Sequence, residues 1–267
     1  MPAQTPHDVA LQGFGTGADD YDKARPSYPA TALESLRIDL GLVPSETKVL
    51  DLAAGTGKFT ELLAKEGYQI TAVEPVATMR AKITEQIPSV TAVEGTSWKI
   101  PVEDESQDVV TIAQAFHWFD DIETLRECHR VLKPQGRLIC IWNMESQERS
   151  KWVKELREVY QLHDSEVPQY RKGRWRNVFD TEEAARLYEL PLNHRLFTND
   201  FHVKGKEVVW QRIKSKSYIA VLPPKDQDEL RQRVYAILEN PAYGFATDST
   251  GQYLFPHETD LYWAQKR

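Results

Sequence analysis

The chain has 267 residues, of which 41% are hydrophobic, enough apolar material for one large α/β domain. Its formal net charge of −7 opposes binding to a phosphate backbone, so we expect no nucleic-acid partner. No stretch approaches the roughly 18 consecutive apolar residues of a membrane span or resembles a secretory signal. We therefore expect a cytoplasmic protein without a membrane partner. The two cysteines, Cys128 and Cys140, lack zinc-site spacing, and we assign no metal.

Between residues 47 and 143, strand-like and helix-like patterns alternate, which is typical of βαβ units and a mainly parallel sheet. The predicted strands cover 48–52, 69–73, 89–93, 108–113, 137–142 and, near the C-terminus, 258–264. The predicted helices cover 58–66, 78–87, 122–132 and 151–162. From residue 145 onward the pattern loosens, so the second half is less clearly defined.

The segment Asp51–Gly57 (Asp-Leu-Ala-Ala-Gly-Thr-Gly) joins the first predicted strand to the first predicted helix. Its glycines let a ligand approach the backbone, and the helix N-terminus offers free N–H groups. Several nucleotide-binding chemistries share such a turn. A phosphate-gripping P-loop is excluded because Leu52 occupies its first glycine position and Phe59 its hydroxyl position. A dinucleotide fingerprint is weakened because Thr60 replaces its third glycine.

An acidic residue, Glu74, follows the second predicted strand about 20 residues after the glycine turn. A carboxylate at this position can accept both hydrogen bonds of a ribose diol, which suits an adenosine ligand without requiring a pyrophosphate. The alternative is that Glu74 only caps the following helix. The glycine turn upstream favours the ribose interpretation.

Four segments occur in an order that resembles one enzyme family: 21–29 (Tyr-Asp-Lys-Ala-Arg-Pro-Ser-Tyr-Pro), 49–57, 115–120 (Ala-Phe-His-Trp-Phe-Asp) and 130–136. The chain resembles class I S-adenosylmethionine-dependent methyltransferases, in particular the small-molecule branch with trans-aconitate methyltransferase-like and type 11 members. The resemblance implies a Rossmann-like fold with a seven-stranded, mostly parallel sheet, one antiparallel strand, helices on both faces, and N-terminal and C-terminal lid elements.

Within one domain, we accordingly expect N-terminal cap helices in 1–45, the cofactor-binding core in 46–145, and acceptor lid helices plus final strands in 146–267. The chain departs from the family pattern at Ala53-Ala54, where many relatives carry a bulkier residue or a glycine-cysteine pair. The small side chains still permit close approach of the backbone.

The resemblance also implies which residues contact the cofactor, S-adenosyl-L-methionine. They are Tyr21, Arg25, Asp51, Ala53, Gly55, Gly57, Glu74, Thr96, Ser97, Trp98, Ala113, Gln114 and Phe116. The Arg25 guanidinium suits a carboxylate, and the carboxylate of the cofactor itself is one candidate. The alternative is that 25–29 only anchors the N-terminus to the core.

The predicted acceptor contacts are Tyr28, His117, Trp118, Tyr170, Arg174 and Trp175. His117 follows the fourth strand, where a neutral imidazole can take a proton, although an ordinary pocket wall is the favoured interpretation. Trp118 either shields the sulfonium or packs in the core. The basic, aromatic segment 170–176 either seats an acidic acceptor or is a solvated loop.

These features predict an enzyme that transfers a methyl group to an O, S, C or carboxylate centre of a small molecule by in-line displacement. Two alternatives remain: a nicotinamide-dependent oxidoreductase, and a cofactor-binding protein without transferase activity. We expect a monomer or homodimer whose partner is the small-molecule acceptor.

Overall fold

The computed structural model describes residues 25–164 and 167–267, and all structural statements below refer to them. Its strands are β1 (Lys48–Leu52), β2 (Gln69–Val73), β3 (Thr91–Val93), β4 (Gln107–Ala113), β5 (Leu132–Glu145), β6 (Asn193–Val203) and β7 (Tyr253–Gln265). They form one seven-stranded sheet in the order β3-β2-β1-β4-β5-β7-β6. Neighbours from β3 to β5 are parallel, and β7 runs antiparallel to β5 and β6. The Rossmann-like sheet with one antiparallel strand is therefore confirmed.

The helices of the described residues lie between and beyond these strands. They are α1 (Ala30–Ile38), α2 (Lys58–Lys65), α3 (Ala77–Gln86), α4 (Ile122–Val131), α5 (Lys151–Tyr160), α6 (Glu182–Leu187), α7 (Lys206–Lys214), α8 (Ser217–Ala220) and α9 (Pro224–Glu239). Short 3₁₀ turns cover Phe116–Trp118, Gln161–His163, Tyr170–Lys172, Arg174–Asp180 and Pro241–Tyr243.

Two hydrophobic cores cover the two faces of the sheet. Leu50 and Val110 belong to one core and their chain neighbours Val49 and Val109 to the other, because successive strand residues point to opposite faces. Apolar residues from α4 and α6 complete the first core, and those from α1, α2 and α3 complete the second. The continuous apolar strands of the sequence are thus buried on both faces, as parallel sheets require.

The C-terminal half contains a third core, built mainly from α5, α7 and α9 with the ends of β6 and β7. Trp152, Trp210 and Phe255 are among its buried side chains. This helical layer occupies the region expected to form the acceptor lid. No helix in the described ranges has the length and apolar character needed to cross a membrane.

The structure corrects several predicted boundaries. β5 and β7 are longer than expected, β3 is shorter, and β6 was not predicted. β6 lies at the edge of the sheet, and most of its side chains are exposed or half-buried. It therefore lacks the apolar alternation by which half-buried strands are identified.

Candidate active site

A large cavity lies at the carboxyl ends of the parallel strands, with about 1280 Å³ of empty space including its open mouth. Residues that follow four strands line it: Ala53 after β1, Glu74 after β2, Ser97 after β3 and Gln114 after β4. In the sheet order, β1 stands between β2 and β4. The strands β2 and β3 lie on one side of β1, and the strands β4 and β5 lie on its other side. Open α/β sheets bind ligands at such a switch point, and the volume suits a cofactor-sized molecule.

Unusual backbone conformations concentrate on this cavity wall. Ala53 and Gln114 have left-handed φ values of 57° and 62°, which non-glycine residues adopt infrequently. Gly55, with φ of 60°, would direct a Cβ atom into space with no atom within 4 Å. Because Gly55 lines the cavity, its bare backbone leaves room for a ligand.

Gly57, also a predicted cofactor contact, has a packing role in the structure. It is not on the cavity wall, and a Cβ atom there would lie 3.1 Å from the side chains of both Ile83 and Ile87. With φ of 90° it begins α2, so it is needed for the turn and for close packing against α3. The second glycine of the motif supports the cavity without contacting it.

The Glu74 carboxylate is fixed in the cavity wall by backbone N–H groups. Its Oε2 accepts a hydrogen bond from Gly55 N at 2.8 Å, and its Oε1 accepts one from Val76 N at 2.9 Å. Burial raises the pKa of Glu74, although these two donors favour the charged form. Each oxygen keeps a further lone pair, so the carboxylate can still accept two hydroxyl hydrogen bonds.

Asp51, predicted to contact the cofactor, is fully buried and does not line the cavity. Its carboxylate accepts hydrogen bonds from Thr60 Oγ1 at 2.6 Å and from Thr111 Oγ1 at 2.9 Å. Burial raises the pKa of Asp51 to about 6 despite these bonds. The side chain therefore connects β1, α2 and β4, and its contact with the cofactor stays a prediction.

The loop after β3 brings Thr96, Ser97 and Trp98 to the cavity, as expected for an adenine-binding edge. Trp98 Nε1 donates to Asp121 Oδ2 at 2.7 Å, which fixes the indole ring. Ser97 is 5% exposed, and its hydroxyl has no hydrogen-bond partner within the described structure. A buried hydroxyl in a cavity wall without a partner fits a ligand with polar edge atoms, such as a nucleobase.

The N-terminal segment closes over the same cavity. Arg25 lines it and donates through Nη2 to the Ser215 carbonyl at 2.8 Å, which ties this segment to the loop between α7 and α8. The Ser27 carbonyl accepts from Asn143 Nδ2 at 3.1 Å and from Asn199 Nδ2 at 2.8 Å. Anchoring and site closure, the two alternatives for this segment, are thus combined. Tyr21 lies outside the described residues.

A second cavity, of about 580 Å³ including its mouth, adjoins the first. Arg25, Gln114, Trp118, Asn143 and Arg212 line both cavities and form their junction. The second cavity also includes His117, Tyr170, Arg171, Lys216, Ser217 and Tyr218. Of the predicted acceptor contacts, His117, Trp118 and Tyr170 are brought together here. Tyr28 instead lines the first cavity, with its ring 4.8 Å from that of Phe59.

His117 is poorly suited to the role of general base. Burial lowers its pKa to about 3, with a smaller contribution from Arg25. Trp142 Nε1 donates to His117 Nδ1 at 3.4 Å, so the proton of the neutral imidazole is assigned to Nε2. The ring can therefore donate a hydrogen bond from Nε2, but that nitrogen has no free lone pair for a proton.

Three further predicted contacts lie away from both cavities. Phe116 and Trp175 are at most 1% exposed and pack in the sheet core, and Arg174 is exposed outside both cavities. The Trp175 ring lies 4.6 Å from that of Trp142, so its surface is covered by other side chains. The segment 170–176 is therefore divided: its first two residues line the second cavity, while Trp175 belongs to the core.

Sequence reasoning missed several cavity residues. Asn143 directly follows the apolar run of β5, a strand end at which ligand contacts are expected, so it had a usable signal. Arg212 and Lys216 come from the C-terminal half, nearly 70 residues further along the chain. Their spacing of four is ordinary for a helical surface and gave no indication of a site.

The fold and the site define a Rossmann-like protein with a nucleotide-type cavity that joins a second, smaller cavity. A family described as "Methyltransferase domain" matches residues 50–140. An uncharacterized methyltransferase-like protein of Schizosaccharomyces pombe is 30% identical over 237 residues, covering 88% of this chain and 87% of that protein. The chain belongs to the class I S-adenosylmethionine-dependent methyltransferase family.

Two further comparisons agree with this family. An uncharacterized methyltransferase of Mycobacterium tuberculosis is 41% identical over 152 residues, 57% of this chain and 60% of that protein's length. Haemonchus contortus phosphoethanolamine N-methyltransferase 2, solved with phosphomonomethylethanolamine and S-adenosylhomocysteine, superposes with a TM-score of 0.55 at 16% identity. That superposition covers 99% of this chain and 60% of that one. The structural similarity shows the shared fold.

Proposed function

We propose that this chain binds S-adenosyl-L-methionine in the first cavity and catalyses transfer of its methyl group to a small molecule in the second. The observation that carries this proposal is the junction between the two cavities, where Gln114 and Trp118 line both. A donor on one side and an acceptor on the other would meet there. The Haemonchus contortus enzyme, which shares the fold, was solved with S-adenosylhomocysteine and phosphomonomethylethanolamine together.

The residues of the first cavity fit the parts of this cofactor. The Glu74 carboxylate has lone pairs for the ribose hydroxyls, and the hydroxyl of Ser97 is placed for the adenine. Gly55 leaves the backbone accessible to the amino-acid part, and Arg25 supplies a cation for its carboxylate. When bound, S-adenosylmethionine supplies a methyl group already activated by a sulfonium.

The protein then has to align the acceptor atom with this methyl group and to exclude water from the site. Asn143 and Arg25 hold the N-terminal segment and the lid against the cavities through the hydrogen bonds to Ser27 and Ser215. Trp118 forms part of the wall at the junction. Because the Nε2 of His117 carries a proton, we assign it hydrogen-bond donation to the acceptor rather than proton abstraction.

Calorimetric titration tests the cofactor assignment. We expect saturable binding of S-adenosylhomocysteine and no binding of NADH. Saturable NADH binding without any response to S-adenosylhomocysteine would overturn the proposal and restore the oxidoreductase alternative.

A second experiment separates an enzyme from a cofactor-binding protein without activity. Radiolabelled S-adenosylmethionine is incubated with the protein and pooled metabolite extracts, and label in small-molecule products is counted. We expect transfer that requires the protein and is abolished by excess S-adenosylhomocysteine. Cofactor binding without transfer to any pool would support the inactive binding protein.

A further inference from the structure

The wall of the second cavity is strongly cationic. Four basic side chains line it, from Arg25, Arg171, Arg212 and Lys216, and none of its described lining residues is acidic. They come from three separate regions of the chain, so their convergence is produced by the tertiary fold. The protein as a whole has a net charge of −7, which makes a local cluster of this sign more notable.

Two buried carboxylates behind the wall hold three of these cations in place. Glu145, 1% exposed, contacts Lys216 Nζ at 2.9 Å and Arg212 Nη2 at 2.8 Å. Burial acts to raise the pKa of Glu145, but Arg212 and Lys216 hold it well below its usual range, so it is charged. Asp164, 2% exposed, pairs with Arg171 and is also 3.4 Å from Lys172.

The positive charge is only partly neutralised by these partners. Among the described residues, the two carboxylates pair with three cations of the wall, Arg171, Arg212 and Lys216, so these three are not fully neutralised by them. Arg212 is 5% exposed, and its buried Nε has no hydrogen-bond partner within the described structure. A buried cationic group with an unsatisfied donor is costly, which adds to the demand for negative charge around Arg212.

Two of these four cations lie away from the proposed reacting centre. Arg25 and Arg212 line both cavities, whereas Arg171 and Lys216 line the second cavity alone. The cofactor carboxylate, in the first cavity, would be met by Arg25. Arg171 and Lys216 are then left for a group on the acceptor that lies away from the junction.

We propose that the second cavity binds an anionic anchor of the acceptor, a carboxylate or phosphate group remote from the methylated atom, through Lys216, Arg171 and Arg212. This inference rests on the proposed function, because it takes the second cavity as the acceptor site. The anchor fixes the acceptor's orientation so that its other end lies at the junction with Gln114 and Trp118. Uncharged analogues of the same shape would bind more weakly because they supply no counter-charge to the part of the positive charge that Glu145 and Asp164 leave unneutralised.

The test uses the full chain saturated with S-adenosylhomocysteine and titrated in low-salt buffer with succinate, with inorganic phosphate, and with uncharged succinamide. Burial and Arg212 lower the pKa of Lys216 to about 7, against the effect of Glu145. The titrations are therefore run at about pH 6, where this amine is protonated. We expect binding of succinate or phosphate and none of succinamide; whichever anion binds distinguishes a carboxylate from a phosphate anchor.

Two variants and a matched control assign the binding to these residues. Lys216→Gln and Arg171→Gln should each weaken binding of that anion by about tenfold or more. Lys214→Gln removes the same charge from an exposed position two residues from Lys216 and should leave binding unchanged. Arg171, 24% exposed, is less buried than Lys216, so Arg171→Gln is the second variant if Lys216→Gln does not fold.

The affinity for S-adenosylhomocysteine is measured for every variant and should not change. Failure of the wild-type chain to bind S-adenosylhomocysteine would count against the proposed function. Normal S-adenosylhomocysteine binding with no binding of either anion, or with anion binding that neither variant weakens, would overturn the anionic anchor alone.

Discussion

The two adjoining cavities are built in different ways. The first is formed by short loops that directly follow β1, β2, β3 and β4, so its residues occupy fixed positions relative to predictable strands. The second combines residue 25 with 114, 117–118, 143–144, 169–171, 212 and 216–218, which meet only in the folded chain. The cavity proposed to bind the cofactor is therefore encoded locally, whereas the cavity proposed for the acceptor depends on how the C-terminal helices pack against the sheet.

Their electrostatics differ as well. In the first cavity one carboxylate, Glu74, is held by two backbone N–H groups. In the second, side-chain cations are held by the buried carboxylates Glu145 and Asp164. Substitutions in the two halves should therefore have separable effects, and the following predictions proceed from the largest expected effect to the smallest.

Glu145→Ala should be the most damaging substitution, because it leaves Arg212 and Lys216 buried without their counter-charge. We expect the free energy of unfolding to fall by about 3–5 kcal/mol, measured by urea denaturation at neutral pH. Glu148→Ala, three residues away and exposed, serves as the control and should change stability little. A loss below about 1 kcal/mol for Glu145→Ala would show that the lid does not depend on this ion cluster.

Asp51→Asn should alter the pH dependence of stability. The pKa of Asp51 is raised in the folded state from 3.8 to about 6, so the stability it contributes is present below the lower value and lost as pH rises through the upper one. Relative to wild type, the variant should gain up to about 3 kcal/mol between these values. Denaturant titrations at pH values from below 3.8 to above 6 measure the difference in free energy of unfolding between the variant and the wild type. A difference that does not vary with pH would contradict the assignment.

Glu74→Ala should weaken binding of S-adenosylhomocysteine by about 1.5–3 kcal/mol, the contribution of hydrogen bonds to a charged group. Calorimetric titration measures the change. The exposed residue Glu85, on α3, offers the control variant Glu85→Ala, which should bind normally. Unchanged affinity in a folded Glu74→Ala protein would contradict the assignment of the ribose to Glu74.

His117→Gln should have the smallest effect. Since the imidazole donates rather than accepts at Nε2, we expect kcat on an acceptor found by the radiolabel screen to fall by less than about tenfold, whereas loss of a general base costs about 10²–10⁴-fold. The variant should also keep the wild-type pH profile of kcat. A loss of the larger size that is relieved as the pH is raised would return His117 to the role of base.

The sheet and most of the cofactor cavity were predictable because their signals are local. Apolar strands fix the fold, and Gly55, Glu74, Ser97 and Gln114 stand at strand ends where the motif places them. β6 was missed because an exposed edge strand has no apolar alternation.

The acceptor half was predicted less well, for physical reasons. Trp175 was assigned to the acceptor site although it packs in the core, because an aromatic residue in the core and one in a pocket wall have the same appearance in a sequence. Arg212 and Lys216 were missed because their importance comes from Glu145, a partner nearly 70 residues away. Burial, and ion pairing between residues so far apart in the chain, are determined by the tertiary structure.

The most direct measurement is a crystal structure of the protein soaked with S-adenosylhomocysteine. We predict the ribose hydroxyls within hydrogen-bonding distance of the Glu74 carboxylate, the ligand backbone beside Gly55, and the sulfur facing Gln114 and Trp118 at the junction. Density for this ligand in the second cavity, or away from residues 53–57 and Glu74, would contradict the assignment of donor and acceptor sites.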